Sequence, residues 1–207
     1  MNNRKRSLKT SLVMSFIVAC LMLTGCQSMA LREGDLLFHI AEKNNAITEV
    51  TPGMIDHVAI VIGADSVIEA VGKGVVITPL DSLLSQPGRY VAASVRKCDR
   101  RQSVARAREY LGRAYDYLYL PDNDDIYCSE LVQFAFVDRK GQRIFQPIPM
   151  SFHNDEGQIT DYWKTFYARH NMEVPEGWPG TNPSEMSQRK EVKMKHKWQR
   201  RYPVNHE

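Results

Sequence analysis

The chain has 207 residues, 43 % of them hydrophobic and 25 % charged, with a formal net charge of +3. That composition fits one globular domain with room for a sizeable core and excludes a disordered chain. The charge is unevenly spread: residues 1–25 carry Arg4, Lys5, Arg6 and Lys9 and no acid, residues 188–207 carry seven Lys or Arg against Glu191 and Glu207, and the body between has net charge −6. A mildly acidic body argues against a nucleic-acid binder, which shows its basic footprint on the folded domain.

From the N-terminus, the basic stretch Asn3 to Lys9 precedes the apolar run Ser11 to Leu23. The run has the length of a signal-peptide core and is short for a transmembrane helix. It ends in Leu23-Thr24-Gly25-Cys26. This tetrad resembles the bacterial lipobox, which implies a signal peptide over 1–25, cleavage before Cys26 and lipidation of that cysteine. Gln27 in place of an Asp after the cysteine implies the outer membrane, facing the periplasm. Of the four cysteines, Cys20 leaves with the signal and Cys26 takes the lipid, so Cys98 and Cys128 remain as thiols. In an oxidising compartment they also raise the prospect of a Cys98–Cys128 disulfide.

Residues 26–32 read as a tether, and 33–187 as the folded domain. Asp35 to Ile40 reads as a first strand, followed by a polar loop over 41–54 containing Thr51-Pro52-Gly53. His57-Val-Ala-Ile-Val-Ile62 is a strand rich in β-branched residues, closed by Gly63-Ala-Asp-Ser66. Val67 to Val71, Val75 to Pro79 and Tyr90 to Val95 complete an antiparallel sheet with tight turns. Helical signals flank it: a short piece over 81–86, a helix over 101–111 stopped by Gly112, and the clearest helix over 128–137. In that last helix Cys128, Leu131, Val132, Ala135 and Phe136 recur at helical spacing. Segregated strands and helices give an α+β fold, an antiparallel sheet packed against helices. Residues 141–187 are Pro-rich with little periodicity, which predicts loops and a short helix near 159–168. The basic run 188–207 reads as a disordered tail.

The chemistry gathers at two residues. Cys128 opens a helix, where unpaired N–H groups and the helix dipole favour a thiolate and can hold an oxyanion. The bland alternative is that Cys128 packs on the apolar stripe. His57 opens an otherwise apolar strand and needs a polar partner or solvent. If Gly63 to Asp65 form a three-residue hairpin loop, Ile62 pairs with Ser66, and Glu69 falls on the same face as His57, one diagonal step away. A four-residue loop would put it on the opposite face. His39 either lines the cleft or packs, and Tyr115, Tyr117 and Tyr119 either wall a cleft or belong to the core. His153, His170, His196 and His206 fit a site less well. No His-Glu-x-x-His or Cys-x-x-Cys spacing appears, so neither a metal site nor a cofactor is expected.

Glu33-Gly-Asp-Leu-Leu-Phe38, Asp56-His-Val-Ala-Ile-Val61, Val67-Ile-Glu-Ala70 and Tyr127-Cys-Ser-Glu-Leu-Val132 together resemble the YaeF/YiiX-like family of circularly permuted, papain-like amidases in the NlpC-type superfamily. The resemblance spans residues 33–137 well and the Pro-rich remainder loosely. In that family the histidine comes first and the cysteine last, the order 57, 69, 128 seen here. The resemblance implies a permuted papain-like fold and a cysteine hydrolase, with Cys128 as nucleophile, His57 as base and Glu69 as the orienting third residue. It also implies a thioester intermediate and an amide substrate. Two substrate classes follow: a peptidoglycan peptide, from the compartment and the NlpC relationship, or a lipid-linked amide or ester, from likeness to lecithin retinol acyltransferase-like proteins. A cleft rich in Trp, Tyr and Leu would favour an acyl chain, and an acidic or amide-lined one a wall peptide. The non-enzymatic alternative is an envelope-tethered binding or scaffold lipoprotein with Cys98 and Cys128 oxidised.

Overall fold

The computed structural model describes residues 30–201, with side chains described through residue 195. Strands β1 (Asp35–Ile40), β2 (Ile55–Val61), β3 (Ser66–Val71), β4 (Gly74–Pro79), β5 (Arg89–Val95) and β8 (Val192–Arg201) form a six-stranded sheet. Their order is β4-β3-β2-β1-β5-β8 and every neighbouring pair is antiparallel. The first four strands are a meander because each turn is short. Between β2 and β3 the Ile62 amide donates to the Ser66 carbonyl (3.0 Å), and Ile60 pairs with Ile68 and Val61 with Val67.

Alternation divides the sheet into two apolar faces. Leu36, Phe38, Val58, Ile60, Ile68 and Ala93 meet the helices α2 (Arg100–Glu109), α3 (Cys128–Ala135) and α5 (Pro183–Gln188). On the other face Leu37, Ala59, Val61, Val67 and Ala92 are covered by Leu83 and Leu84 of the short helix α1 (Leu80–Leu84). A third cluster stands apart from the sheet. Phe152 joins Trp163 and Tyr167 of α4 (Asp161–Arg169), with Ile47, Val50 and Met150 packed against them. The two-residue strands β6 (Ile148–Pro149) and β7 (Pro179–Gly180) clip the ends of that segment together.

The expected elements appear with ends moved by one to two residues, and α3 stops at Ala135 because Phe136 turns to an extended conformation. The basic tail needs a larger correction. Residues 192–201 are not a disordered tail but the edge strand β8, paired with β5 from Val95↔Val192 to Arg89↔Arg201. Val192 is buried, and Lys195 joins Arg100 in pairing with the fully buried Asp35. Lysine-rich composition is how exposed sheet edges avoid pairing with other chains, so an edge strand imitates a solvated tail in sequence. Among the described residues no helix is long and apolar enough to cross a membrane. Cys26 and its lipobox lie outside the described residues.

Candidate active site

Cys128 is the first residue of α3 and is 6 % exposed. Tyr127, extended at φ −102° and ψ 169°, precedes it with no side-chain cap, and the first return bond of the helix runs from the Leu131 amide to the Tyr127 carbonyl. The thiol therefore stands where helix N–H groups lack intrahelical partners.

His57 lies near the start of β2, and the three-residue turn puts Glu69 of β3 on its face. The His57 Nε2 to Glu69 Oε2 distance is 2.7 Å, and the other carboxylate oxygen accepts the Thr78 hydroxyl at 2.6 Å. With Nε2 engaged by Glu69, Nδ1 is the nitrogen left to serve Cys128, whose influence helps to raise the pKa of the ring. Burial opposes charge on the ring, but the hydrogen bonds to Cys128 and Glu69 and the negative charges behind them outweigh it, raising the imidazole to about 10. Burial likewise works against the Glu69 carboxylate. The bond and charge of His57, helped by Thr78, overcome it and hold Glu69 below its ordinary range. The arrangement can keep an imidazolium between a carboxylate and a sulfur nucleophile.

Thr78 escaped the sequence reading. Its signal was available: Glu69 pairs with Val76, so Thr78 lies two residues further along the same face of β4. Asp56 also escaped it. The register shifts from His39↔His57 to Ile40↔Ile55, which leaves Asp56 as the extra residue of a β-bulge directly before His57. Its carboxylate accepts from Asn45 Nδ2 (2.6 Å) and meets His39 Nδ1 (2.6 Å), while His39 Nε2 meets the Pro87 carbonyl (2.8 Å). Both ring nitrogens of His39 face acceptors, and only the doubly protonated ring can donate to both. Consistently, the bonds to Asp56 and Pro87 raise its pKa against the opposing effect of burial. Gly88 (φ +114°) is needed beside this ring, because a Cβ there would run into Nε2.

Cys128 opens on a narrow cleft: the space that water-sized spheres can occupy is about 40 Å³, and the empty volume reaches about 450 Å³ only with the open solvent at its mouth counted. Its walls come from the third cluster: Ile47, Val50, Tyr119, Met150, Phe152 and Trp163. Tyr115 also lines it, while Tyr117 points away, exposed and hydrogen-bonded to the Gly72 carbonyl. Burial, then the charge at Cys128, pushes the Tyr115 phenol far above its ordinary range. His153 meets Glu176 at 3.1 Å and His170 packs tilted against Phe166; neither lines the cleft. His196 and His206 lie beyond the described side chains.

The disulfide alternative is not what the structure holds. Cys98 and Cys128 are both free, the Cys98 thiol donates to the Val95 carbonyl (3.2 Å), and Cys98 bridges to Asp138 away from the start of α3.

A helix-borne cysteine against a strand-borne histidine, with the histidine earlier in the chain, defines the papain-like fold in permuted order. The chain belongs to the family of permuted papain-like amidase enzymes, the YaeF/YiiX or C92 family, which matches residues 30–194. It is 30 % identical over 122 residues to the uncharacterized protein YiiX of Escherichia coli strain K12. That match covers 54 % of this chain and 60 % of the relative, so the chain spans less than two thirds of that relative's length. The crystal structure of YiiX from Escherichia coli O157:H7, described as a metalloprotein, superimposes with a TM-score of 0.64 at 22 % identity. That superposition covers 81 % of this chain and 96 % of the other and speaks to fold alone.

Proposed function

We propose that this cysteine amidase is tethered to the cell envelope through lipid on Cys26 and cleaves a lipid-linked amide by way of a thioester on Cys128. The sulfur attacks the carbonyl carbon while α3 N–H groups receive the oxyanion. As the tetrahedral intermediate collapses, the C–N bond breaks and the His57 imidazolium gives its proton to the leaving nitrogen. A water then attacks the thioester, His57 takes its proton, and the C–S bond breaks to return the thiol and release the acid. Glu69 orients the ring and stabilises its charge.

The observation that carries the choice of substrate is the lining of the cleft beside Cys128. Its aromatic and aliphatic walls suit an acyl chain. The Asp56 carboxylate on its rim already accepts from His39 and Asn45, so it offers little to a wall peptide. Among the described residues no three His, Cys, Asp or Glu side chains are grouped to hold an ion. His39 and Asp56, and His57 and Glu69, are already paired with one another. Thiol-directed probes test the reading. An electrophile carrying a dodecanoyl chain should label Cys128 faster than the same electrophile on a stem peptide, and His57→Ala should abolish labelling. Faster labelling by the peptide probe would return the wall-peptide substrate.

A further inference from the structure

A second depression lies beside His57 and is not needed for the acyl chain. It is an open groove with about 1490 Å³ of free space, lined by His39, Asp56, His57 and Glu69 at one end and by the β3–β4 turn and α1 along its sides. Asp56 lines both this groove and the cleft beside Cys128, so the two meet at the residue next to His57. General-acid logic fixes which part of a substrate belongs there. The group that receives the proton from His57 must leave on the histidine's side, while the acyl group stays on the cysteine's side.

The groove's chemistry then describes that leaving group. Its acids are already matched one to one, Asp56 with His39 and Glu69 with His57. Lys73, in the turn between β3 and β4, lines the groove and has no ion-pair partner among the described residues, so it is the uncompensated charge. Tyr90 is 4 % exposed and packs tilted against His39 with ring centroids 4.9 Å apart, and its hydroxyl has no hydrogen-bond partner among the described residues. That hydroxyl is not sealed in the core but opens on the groove, where a ligand acceptor can take its proton. The Ser82 hydroxyl and Gln86 amide of the α1 segment add further donors along the rim. One cation and a row of donors, with both acids already occupied, select against a cationic amine and for an anionic one.

Resting on the amidase reading above, we propose that this groove binds the leaving amine and that the amine carries an anionic group, a carboxylate or a phosphate ester. Lys73 meets the anion, and the Tyr90 hydroxyl donates to the polar atoms nearest the scissile bond. The substrate is then an acyl chain joined by an amide to a small acidic head.

Matched substrates test it with the full folded domain. N-dodecanoylglycine and N-dodecanoyl-O-phosphoethanolamine carry the two candidate anions, and N-dodecanoylglycinamide is the neutral counterpart. The anionic substrates should show the higher kcat/KM, and the ratio between the two of them identifies the source of the charge. The preference should shrink as salt rises. Lys73→Ala should reduce it about fivefold and Lys73→Glu more, since an exposed pair is modest in worth and charge reversal adds repulsion. Tyr90→Phe keeps the packing and should raise KM for all three. The proposal is overturned if the neutral substrate is preferred, or if Lys73→Glu changes all three alike. Binding of the same compounds to the Cys128→Ala protein separates the two readings. A Kd for the anionic compounds that Lys73→Glu weakens supports the groove even where no hydrolysis is seen. Absence of anion-dependent binding overturns the groove even where hydrolysis proceeds.

Discussion

Glu130 is an acid that destabilises the fold it belongs to, and replacing it with glutamine should make the protein more stable at neutral and alkaline pH. It is the third residue of α3 and only 5 % exposed. One oxygen takes the Tyr127 amide of the helix cap, as in a capping box, but Oε2 is buried without a partner. Burial first, then the charge of Asp116, raises its pKa from 4.5 to about 8, against lowering contributions from the Tyr127 N–H and Arg143, with Asp122 adding the least. Because the folded state holds this proton more tightly than the unfolded chain, stability from this group is full below pH 4.5 and falls as pH rises towards 8. At pH 7 the loss amounts to about 3 kcal/mol, from 1.36 kcal/mol per unit over the interval above 4.5. Glu130→Gln keeps the shape and the capping oxygen and removes the charge. Allowing for an imperfectly bonded amide, the variant should exceed the wild type by about 1–2 kcal/mol at pH 8 and show no advantage at pH 5. Urea midpoints of both proteins at pH 5, 7 and 8 measure this. A stability difference that does not change with pH would refute the reasoning, as would a variant weaker at pH 8 than at pH 5.

Glu69→Gln should leave thiol reactivity measurable but move its alkaline limb down from about 10 by about one unit, since the carboxylate is one of the causes that raise His57. A pH–rate profile of Cys128 alkylation reads this, and an unmoved limb counts against Glu69 as the orienting residue. Stopping the chain after residue 191 removes β8, takes Lys195 from the buried Asp35, which keeps Arg100 and the Arg32 amide, and exposes the β5 edge. A loss of about 3–5 kcal/mol is expected by denaturant titration, whereas an unchanged midpoint would restore the disordered tail. Cys26→Ser should abolish the lipid adduct, read by the mass of the mature N-terminus, and a wild-type protein with no lipid on Cys26 removes the tether from the proposal.

The parts of the site that lie on short-range structure were readable in sequence. The count of residues in the turn after Ile62 decided whether Glu69 faced His57, and helical spacing from Cys128 to Phe136 placed the thiol at a helix start. What lay beyond such local rules was lost. The bulge at Asp56 depends on a register slip against β1, which no pattern within β2 announces. The walls of the cleft beside Cys128 come from residues as far apart as Ile47, Met150 and Trp163, brought together by long-range bonds such as Trp163 Nε1 to the Ala46 carbonyl (3.2 Å). Ile47 and Met150 sit in irregular segments where neither the helical nor the strand period shows, and the helix expected around Trp163 gave no sign of where it packs. β8 was hidden for the opposite reason, since its charge pattern outweighed its alternation.

Glu69, the partner of His57, and Glu130, two residues after Cys128, are shifted in opposite directions. Glu69 and Glu130 are equally buried at 5 % exposure, yet one is pushed below its ordinary range and the other above it. The difference is in their partners: Glu69 meets an imidazole and a hydroxyl donor, while Glu130 meets other carboxylates and leaves one oxygen empty. Near neutral pH the first is therefore an anion that sustains the His57 cation, and the second is largely a neutral acid. Glu130 stands two residues from Cys128 on the same helical turn. A second ionised carboxylate there would add negative charge beside the sulfur and oppose the anion that attack requires. The stability lost to a buried neutral acid is thus spent where it keeps the start of α3 free for the charge of the sulfur. On this account Glu130→Asp, whose shorter side chain withdraws from the Tyr127 amide, should slow Cys128 alkylation, while Glu130→Gln preserves its rate. A rate lowered equally by both substitutions would assign Glu130 to packing alone.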